Sequence, residues 1–196
     1  MVIKTREKLI EVARQLFAHK GVENTTMNDI AAASDKGRRT IYTYFRNKRE
    51  IYNAVIERES EQLVQKLREV ADSDATASEK VRRFISSRLE TMTVTGTRHD
   101  TLRSFFIRDF RRIDRIRKLV ATKELEIFNR ILRQGIDSGE FDAEQARRLP
   151  LLGMTVFQGL DYYIVKNTTD DVGQLARIKH DLTEFIVVGL TVRHKQ

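Results

Sequence analysis

With 196 residues, 40% of them hydrophobic and 33% charged, the chain is long enough to bury a substantial core, divided into one small and one larger helical unit. It contains no cysteine, which excludes a disulfide framework, a thiol nucleophile and a thiolate metal site, and its net charge of +8 points to anionic partners. No apolar run approaches the length of a membrane span and Met1–Glu11 has no signal-peptide core, so a cytoplasmic protein with no membrane partner is expected.

A first helix is predicted over Lys4–Lys20, where Leu9, Ile10, Ala13, Leu16 and Phe17 form one apolar stripe. His19 and Lys20 suit its negative end and Gly21 can stop it. Thr26 caps a short second helix, with Asp29 in the position of a capping-box acid and Ile30 pointing inward. Ala31, Ala32 and Ala33 keep that helix slim, as two helices joined by a few residues must be. Ser34, Asp35, Lys36 and Gly37 supply turn chemistry, with Gly37 expected to be free to take a positive φ. A third helix, Arg38 to Phe45, turns Arg38, Arg39, Thr40 and Thr43 outward, while Ile41 and one or more of Tyr42, Tyr44 and Phe45 pack inward. This is the pattern of a helix-turn-helix DNA reader. Arginine can donate two parallel hydrogen bonds to guanine, and threonine can meet a thymine methyl or a phosphate. Thr26 and Asn28 stand where the first helix of such a motif crosses the DNA backbone.

Asn47, followed by Glu50 at the third helical position, opens a fourth helix from Lys48 to about Val70. After a loop at residues 72–77, a fifth is expected over Ser78–Thr95. A polar break at Thr95–Asp100 precedes a sixth helix, Thr101–Phe110, and a second break near Arg111 and Arg112 a seventh, Asp114–Asp137, closed by Ser138 and Gly139. Asp142 and Gln145 start an eighth, which contains the single proline, Pro150. Leu151–Val165 is apolar on nearly all sides and is expected to be buried. The ninth, about Val172–Val192, places Leu175, Ile178, Leu182, Phe185, Ile186 and Gly189 on one stripe. The fold class is therefore all-α with about nine helices. The positive charge is denser at the start: residues 1–50 hold 11 Lys or Arg against 6 Asp or Glu, and residues 51–196 hold 25 against 22.

Three stretches, LIEVARQLFAHKGVENTTMNDIAAAS, TIYTYFRNKREIYNAVI and ILRQGIDSGEF, together with the order of long helices, resemble the tetracycline-repressor (TetR) family of bacterial regulators. Relatives often read A-G-V-S-K-G-T where this chain has Ser34, Asp35, Lys36, Gly37, Arg38, Arg39 and Thr40, so Lys36 replaces an apolar turn residue and Arg39 adds a charge. The resemblance implies a DNA-binding domain over residues 1–47 and a ligand-sensing and dimerisation domain over residues 48–196. It implies that Lys36, Tyr42, Tyr44 and Lys48 match phosphate-contacting positions. It further implies a small-molecule pocket in the larger domain, for which Phe84, Met92, Leu102, Arg103, Phe105, Phe106, Phe110, Phe128, Phe157 and Tyr162 are the candidates, plain core being the competing role. Arg88, Arg103, Arg108 and Arg130 meet an anionic ligand or, more simply, lie on the surface.

Catalysis has little support. His19, His99, His180 and His194 lack ligand spacing, Gly135 and Gly139 bracket a helix end and not a phosphate loop, and Glu124 and Glu126 do not face each other. No cofactor and no metal site is expected. The sequence reads as a homodimeric regulator, pairing through its last two helices, that represses from double-stranded operator DNA and is released by an unidentified small molecule. The alternative is a ligand-independent helical nucleic-acid-binding protein; a helical-bundle enzyme and a protein adaptor are the other classes weighed.

Overall fold

A computed structural model describes the backbone of residues 2–96, 102–166 and 172–191. Among the described residues it has eight helices and no strand: α1 (Val2–Lys20), α2 (Met27–Ala33), α3 (Arg38–Tyr44), α4 (Lys48–Asp72), α5 (Ala77–Gly96), α6 (Leu102–Asp137), α7 (Ala143–Lys166) and α8 (Val172–Leu190). The expected break near Arg111 and Arg112 does not occur. No Gly or Pro lies between Leu102 and Gln134, and Arg is a good helix former, so the two predicted helices run together as the 36-residue α6. Most of the expected break at Thr95–Asp100 lies outside the described residues.

The chain divides into two compact units. The first comprises Met1–Glu61 and the part of α6 ending at Ile116. Its core joins the stripe of α1, Leu9, Ile10, Ala13 and Phe17, to Ile30 of α2, Ile41 of α3, Phe45 and the start of α4, Ile51, Tyr52 and Val55. Phe17 and Tyr52 meet edge to face at 6.0 Å, and Arg58 ties α4 to α1 by donating to the Glu7 carbonyl at 3.2 Å beside the Glu7 and Glu11 carboxylates.

The second unit comprises the rest of α4 and α5, α6 from Arg117, and α7 and α8. Leu63 and Leu67 of α4, Val81, Phe84, Ile85 and Leu89 of α5, Ile127, Phe128 and Ile131 of α6, and Ile186, Val187 and Leu190 of α8 form its core. The GIDSGEF segment, residues 135–141, closes one end. Gly139 ends α6 in the left-handed region at φ 76°, and Glu140 turns back to accept from the backbone N–H groups of Ala77 and Ser78, at 3.0 and 3.1 Å, at the start of α5. Phe141 is buried against Gly135, where a Cβ would stand 2.0 Å from its ring. Burial pushes the Glu140 carboxyl up, but the Ala77 and Ser78 donors, with the Ser138 hydroxyl, more than offset this and hold its pKa below the ordinary 4.5. Asp142 caps α7 by accepting from Gln145, and its own N–H donates to the Leu190 carbonyl at 2.8 Å, tying the start of α7 to the end of α8.

On α7, Leu152 and Val156 are 60% and 40% exposed in the single chain, so the expected burial of Leu151–Val165 is not reached within one chain. On α8 the inward residues are Thr183, Ile186, Val187 and Leu190, whereas Phe185 is 80% exposed beside exposed Val188 and Gly189. The predicted single stripe is two apolar faces, of which one enters the core and the other faces out. Among the described residues no helix is long and apolar enough to cross a membrane.

Candidate nucleic-acid interface

The reader is held together by local hydrogen bonds. The Thr26 hydroxyl accepts from the Asp29 N–H at 3.1 Å, and the Thr26 N–H donates to the Asp29 carboxylate at 2.8 Å, which completes the capping box. The backbone bond from Thr26, followed by its hydroxyl, lowers the Asp29 pKa. Thr25, fully buried, donates its hydroxyl to the Gly21 carbonyl at 2.8 Å, so the connection from α1, which ends at Gly21 with φ 82°, is fixed as tightly as the helix it leads into.

The turn differs from expectation in one residue. Asp35, not Gly37, takes the left-handed conformation, at φ 55°, while Gly37 lies at φ −65°, ψ 151° and caps α3. The reason is where α2 stops. With Ser34 as its last cap, the Lys36 N–H reaches the Ala31 carbonyl at 3.0 Å and the Asp35 N–H reaches that of Ala32 at 3.2 Å. This double closure requires a left-handed residue directly after the cap, a place aspartate tolerates better than most side chains. It is the position at which the A-G-V-S-K-G-T pattern carries glycine. The buried Ser34 hydroxyl donates to the Ala31 carbonyl at 2.9 Å, and Lys8 pairs with Asp35 at 3.4 Å.

On α3, Ile41 is fully buried and Phe45 nearly so, Tyr44 is half-buried against them, and Tyr42 is exposed. Arg38, Arg39 and Thr43 are all exposed, Arg39 and Thr43 on the side of α3 away from Ile41, with Thr40 half-buried. The Arg38 guanidinium sits over the Tyr42 ring at 5.8 Å, one turn on, and the Thr43 hydroxyl donates to the Arg39 carbonyl at 3.1 Å. Asn28 is exposed on α2 and Lys36 half-buried in the turn. All ten sequence-predicted DNA contacts therefore fall on α2 and its N-cap Thr26, the turn, α3 and the first residue of α4.

Lys48 has a job that spacing did not disclose. Its ammonium donates to the Val22 carbonyl at 2.7 Å and to that of Glu23 at 3.1 Å, closing the α1–α2 connection over the start of α4. The α4 start itself follows expectation, with Asn47 accepting from the Glu50 N–H at 3.0 Å and Glu50 accepting from the Arg46 N–H at 2.8 Å.

The predicted ligand residues are only in part described. Phe84 and Phe128 are buried and pack on each other with ring centroids 5.0 Å apart, as members of the second core. The side chains of Met92, Leu102, Arg103, Phe105, Phe106, Phe110, Phe157 and Tyr162 lie outside the described residues. Arg88 is not on the surface. It is 4% exposed and bonded to the equally buried Glu124 at 3.1 Å, since its place on α5 one turn beyond Phe84 turns it into the core. Arg130 is a surface charge, paired with Asp72 at 2.9 Å; the side chains of Arg103 and Arg108 are not described.

Residues 9–55 match the family model described as bacterial regulatory proteins, tetR family. The chain is 32% identical over 150 residues to the uncharacterised HTH-type transcriptional regulator YfiR of Bacillus subtilis, a match covering 72% of this chain and 70% of that one. Over 51 residues, 26% of this chain and 23% of the other, it is 49% identical to the probable acrEF/envCD operon repressor of Escherichia coli. Its fold is that of a transcriptional regulator from Cytophaga hutchinsonii, with a TM-score of 0.78, 24% identity and coverage of 95% of this chain and 98% of that one. These relatives are transcriptional regulators and not enzymes.

Proposed function

This chain belongs to the tetR family of bacterial regulatory proteins, and from that premise we propose that it is a cytoplasmic, homodimeric repressor whose α3 reads operator DNA and whose larger domain senses a small molecule. The observation that carries the reading is the surface of α3, where Arg38, Arg39 and Thr43 stand exposed on a helix whose other side is locked by Ile41 and Phe45. Arg38, Arg39, Thr40 and Thr43 touch base edges; Thr26, Asn28, Lys36, Tyr42, Tyr44 and Lys48 touch the sugar-phosphate backbone and set register. Residues 1–47 are the DNA-binding domain and residues 48–196 the sensing and dimerisation domain. Repression is supported by the 49% identity of the reader region to a probable operon repressor.

Dimerisation through α7 and α8 is supported by the outward apolar face of Leu152, Val156, Phe185 and Val188. Large apolar side chains on adjoining helices are the composition of a permanent interface. A two-fold dimer then presents its two α3 helices to half-sites about one helical turn, or a multiple of it, apart. The effector is a largely apolar molecule held in the larger domain, residues 48–196, by the predicted aromatic set, and it releases DNA by binding the DNA-incompetent conformation more tightly.

The test begins with selection of duplexes from random DNA by the full chain. A palindromic consensus is expected, and Arg39→Ala should lower affinity for it while leaving binding to a scrambled duplex unchanged. Equal losses on both would reduce Arg39 to a phosphate contact. Metabolites that shift the melting temperature are then titrated against operator binding; if none of them weakens it, the ligand-independent DNA binder is the better account.

A further inference from the structure

The residues of α3 fall into pairs one turn apart: Arg38 with Tyr42, Arg39 with Thr43, and Thr40 with Tyr44. Two of these pairs begin with an arginine, and the two arginines are held differently. The Thr43 hydroxyl donates to the Arg39 carbonyl at 3.1 Å, so its bond goes to the backbone and not to the guanidinium. Arg38 instead lies over the Tyr42 ring, its Cζ 5.8 Å from the centroid. Both Arg38 and Tyr42 are exposed, and among the described residues neither arginine is in an ion pair. The fold of the reader does not depend on this contact, because Ile41 and Phe45 anchor α3 from its buried side.

What holds a guanidinium decides what it can still bind. A carboxylate partner would occupy its N–H edges, the groups with which arginine meets a base. An aromatic ring takes the guanidinium by its flat side and leaves the N–H groups in its plane open. A stacked arginine also has fewer rotamers left to lose when a base orders it. Arg38 is the first residue of α3, and the first residues of a recognition helix are those that meet base edges. The Tyr42 hydroxyl stands at the tip of the ring, in its plane, so a phosphate contact there does not compete with the hold of the ring face on Arg38.

We propose that Arg38 reads a guanine and that Tyr42 is its positioning residue: the ring holds the guanidinium ready for the N7 and O6 acceptors, while the hydroxyl meets the phosphate backbone. The inference rests on α3 being the base reader. It gives Tyr42 two separable shares, base preference through its ring and sequence-independent affinity through its hydroxyl.

The test uses the full chain and the operator it selects from random DNA. Arg38→Ala should relax the preference at one base pair of each half-site by about fivefold or more, which identifies the guanine. Discrimination is then the ratio of affinities for the operator and for the same operator with that pair changed to A·T. Tyr42→Leu should lower this ratio by about two- to fivefold per half-site. Tyr42→Phe, which keeps the ring, should weaken binding to both duplexes alike and leave the ratio at its wild-type value. Adding Tyr42→Leu to Arg38→Ala should relax the position no further. If circular dichroism shows Tyr42→Leu misfolded, Tyr42→Ala takes its place with the same expectation. An unchanged ratio for Tyr42→Leu would overturn the proposal, and so would equal relaxation by Tyr42→Leu and Tyr42→Phe, or additive losses in the double variant. Arg38→Ala leaving every position as selective as before would overturn it as well. Failure of α3 as the reader shows separately, as Arg39→Ala acting alike on operator and scrambled duplexes.

Discussion

Replacing Gly135 by alanine should destabilise this chain, although the same change on an exposed helix normally helps. In a helix interior alanine is worth about 0.8–1 kcal/mol over glycine, and less in a last turn such as this one. Against that gain stands the Phe141 ring: an added Cβ would lie 2.0, 2.4 and 2.6 Å from its Cδ2, Cε2 and Cγ. Ordinary contact begins beyond 3.4 Å, so the ring must move by more than an ångström. Phe141 is 2% exposed, and its N–H is bonded to the Gly135 carbonyl at 2.9 Å, so neither ring nor backbone has room to yield. Overpacking of this kind costs about 1–3 kcal/mol, and outright expulsion of the ring is bounded by the about 3–5 kcal/mol that deletion of a buried phenylalanine costs. The net expectation is a loss of about 1–3 kcal/mol, read from urea denaturation followed by circular dichroism at fixed protein concentration. On a Phe141→Ala background the obstacle is gone, and Gly135→Ala should become neutral or stabilising by up to about 1 kcal/mol. Stabilisation in the wild-type background would refute the reasoning, because it would mean the ring does not occupy the space over Gly135.

Lys48→Ala should lower both stability and the salt slope of DNA binding. Loss of two charged donors to the Val22 and Glu23 carbonyls costs about 1–3 kcal/mol, and loss of one phosphate contact lowers the slope by about one unit; a thermal melt unchanged from wild type would deny the first role and an unchanged slope the second. Glu140 makes a pH prediction. Its carboxyl titrates lower in the folded chain than in the unfolded one, so its contribution is fully present above the unfolded pKa and is lost as pH falls through the folded one. Denaturation midpoints should therefore drop on acidification below about pH 4.5 less steeply for Glu140→Gln than for wild type, and parallel curves would remove Glu140 from the acid response. Phe185→Glu should yield monomers by light scattering at concentrations where the wild type is dimeric, since Phe185 is 80% exposed in the single chain and its replacement disturbs no core contact there. Intact dimers would move the interface elsewhere.

The sequence alone determined the elements whose signals are local. Gly21, Thr26 with Asp29, Asn47 with Glu50, and Asp142 with Gln145 mark helix ends by hydrogen bonds spanning three or four residues, and each is found where spacing put it. The inward set of the reader, Ile41 with Leu9, Ile10 and Ala13, was legible for the same reason, because a helix of known phase has one buried side, whereas spacing leaves open which of Tyr42, Tyr44 and Phe45 joins it, and the buried one is Phe45. Other features depended on partners far away in the chain. That Lys48 closes on Val22 and Glu23, or that Glu140 caps α5 from 63 residues on, follows from packing that no spacing rule contains. The left-handed residue passed from Gly37 to Asp35 because the stopping point of α2, not glycine's freedom, chose it. Arg88, expected at the surface, is buried against Glu124, because what covers its side of α5 comes from α6, 36 residues on. Helical periodicity put the apolar residues of the last helix on one stripe, whereas the chain buries Ile186 and leaves Phe185 exposed. Only the tertiary structure decides which part of that stripe is occupied within the chain and which is left exposed, because each face is defined by what packs against it.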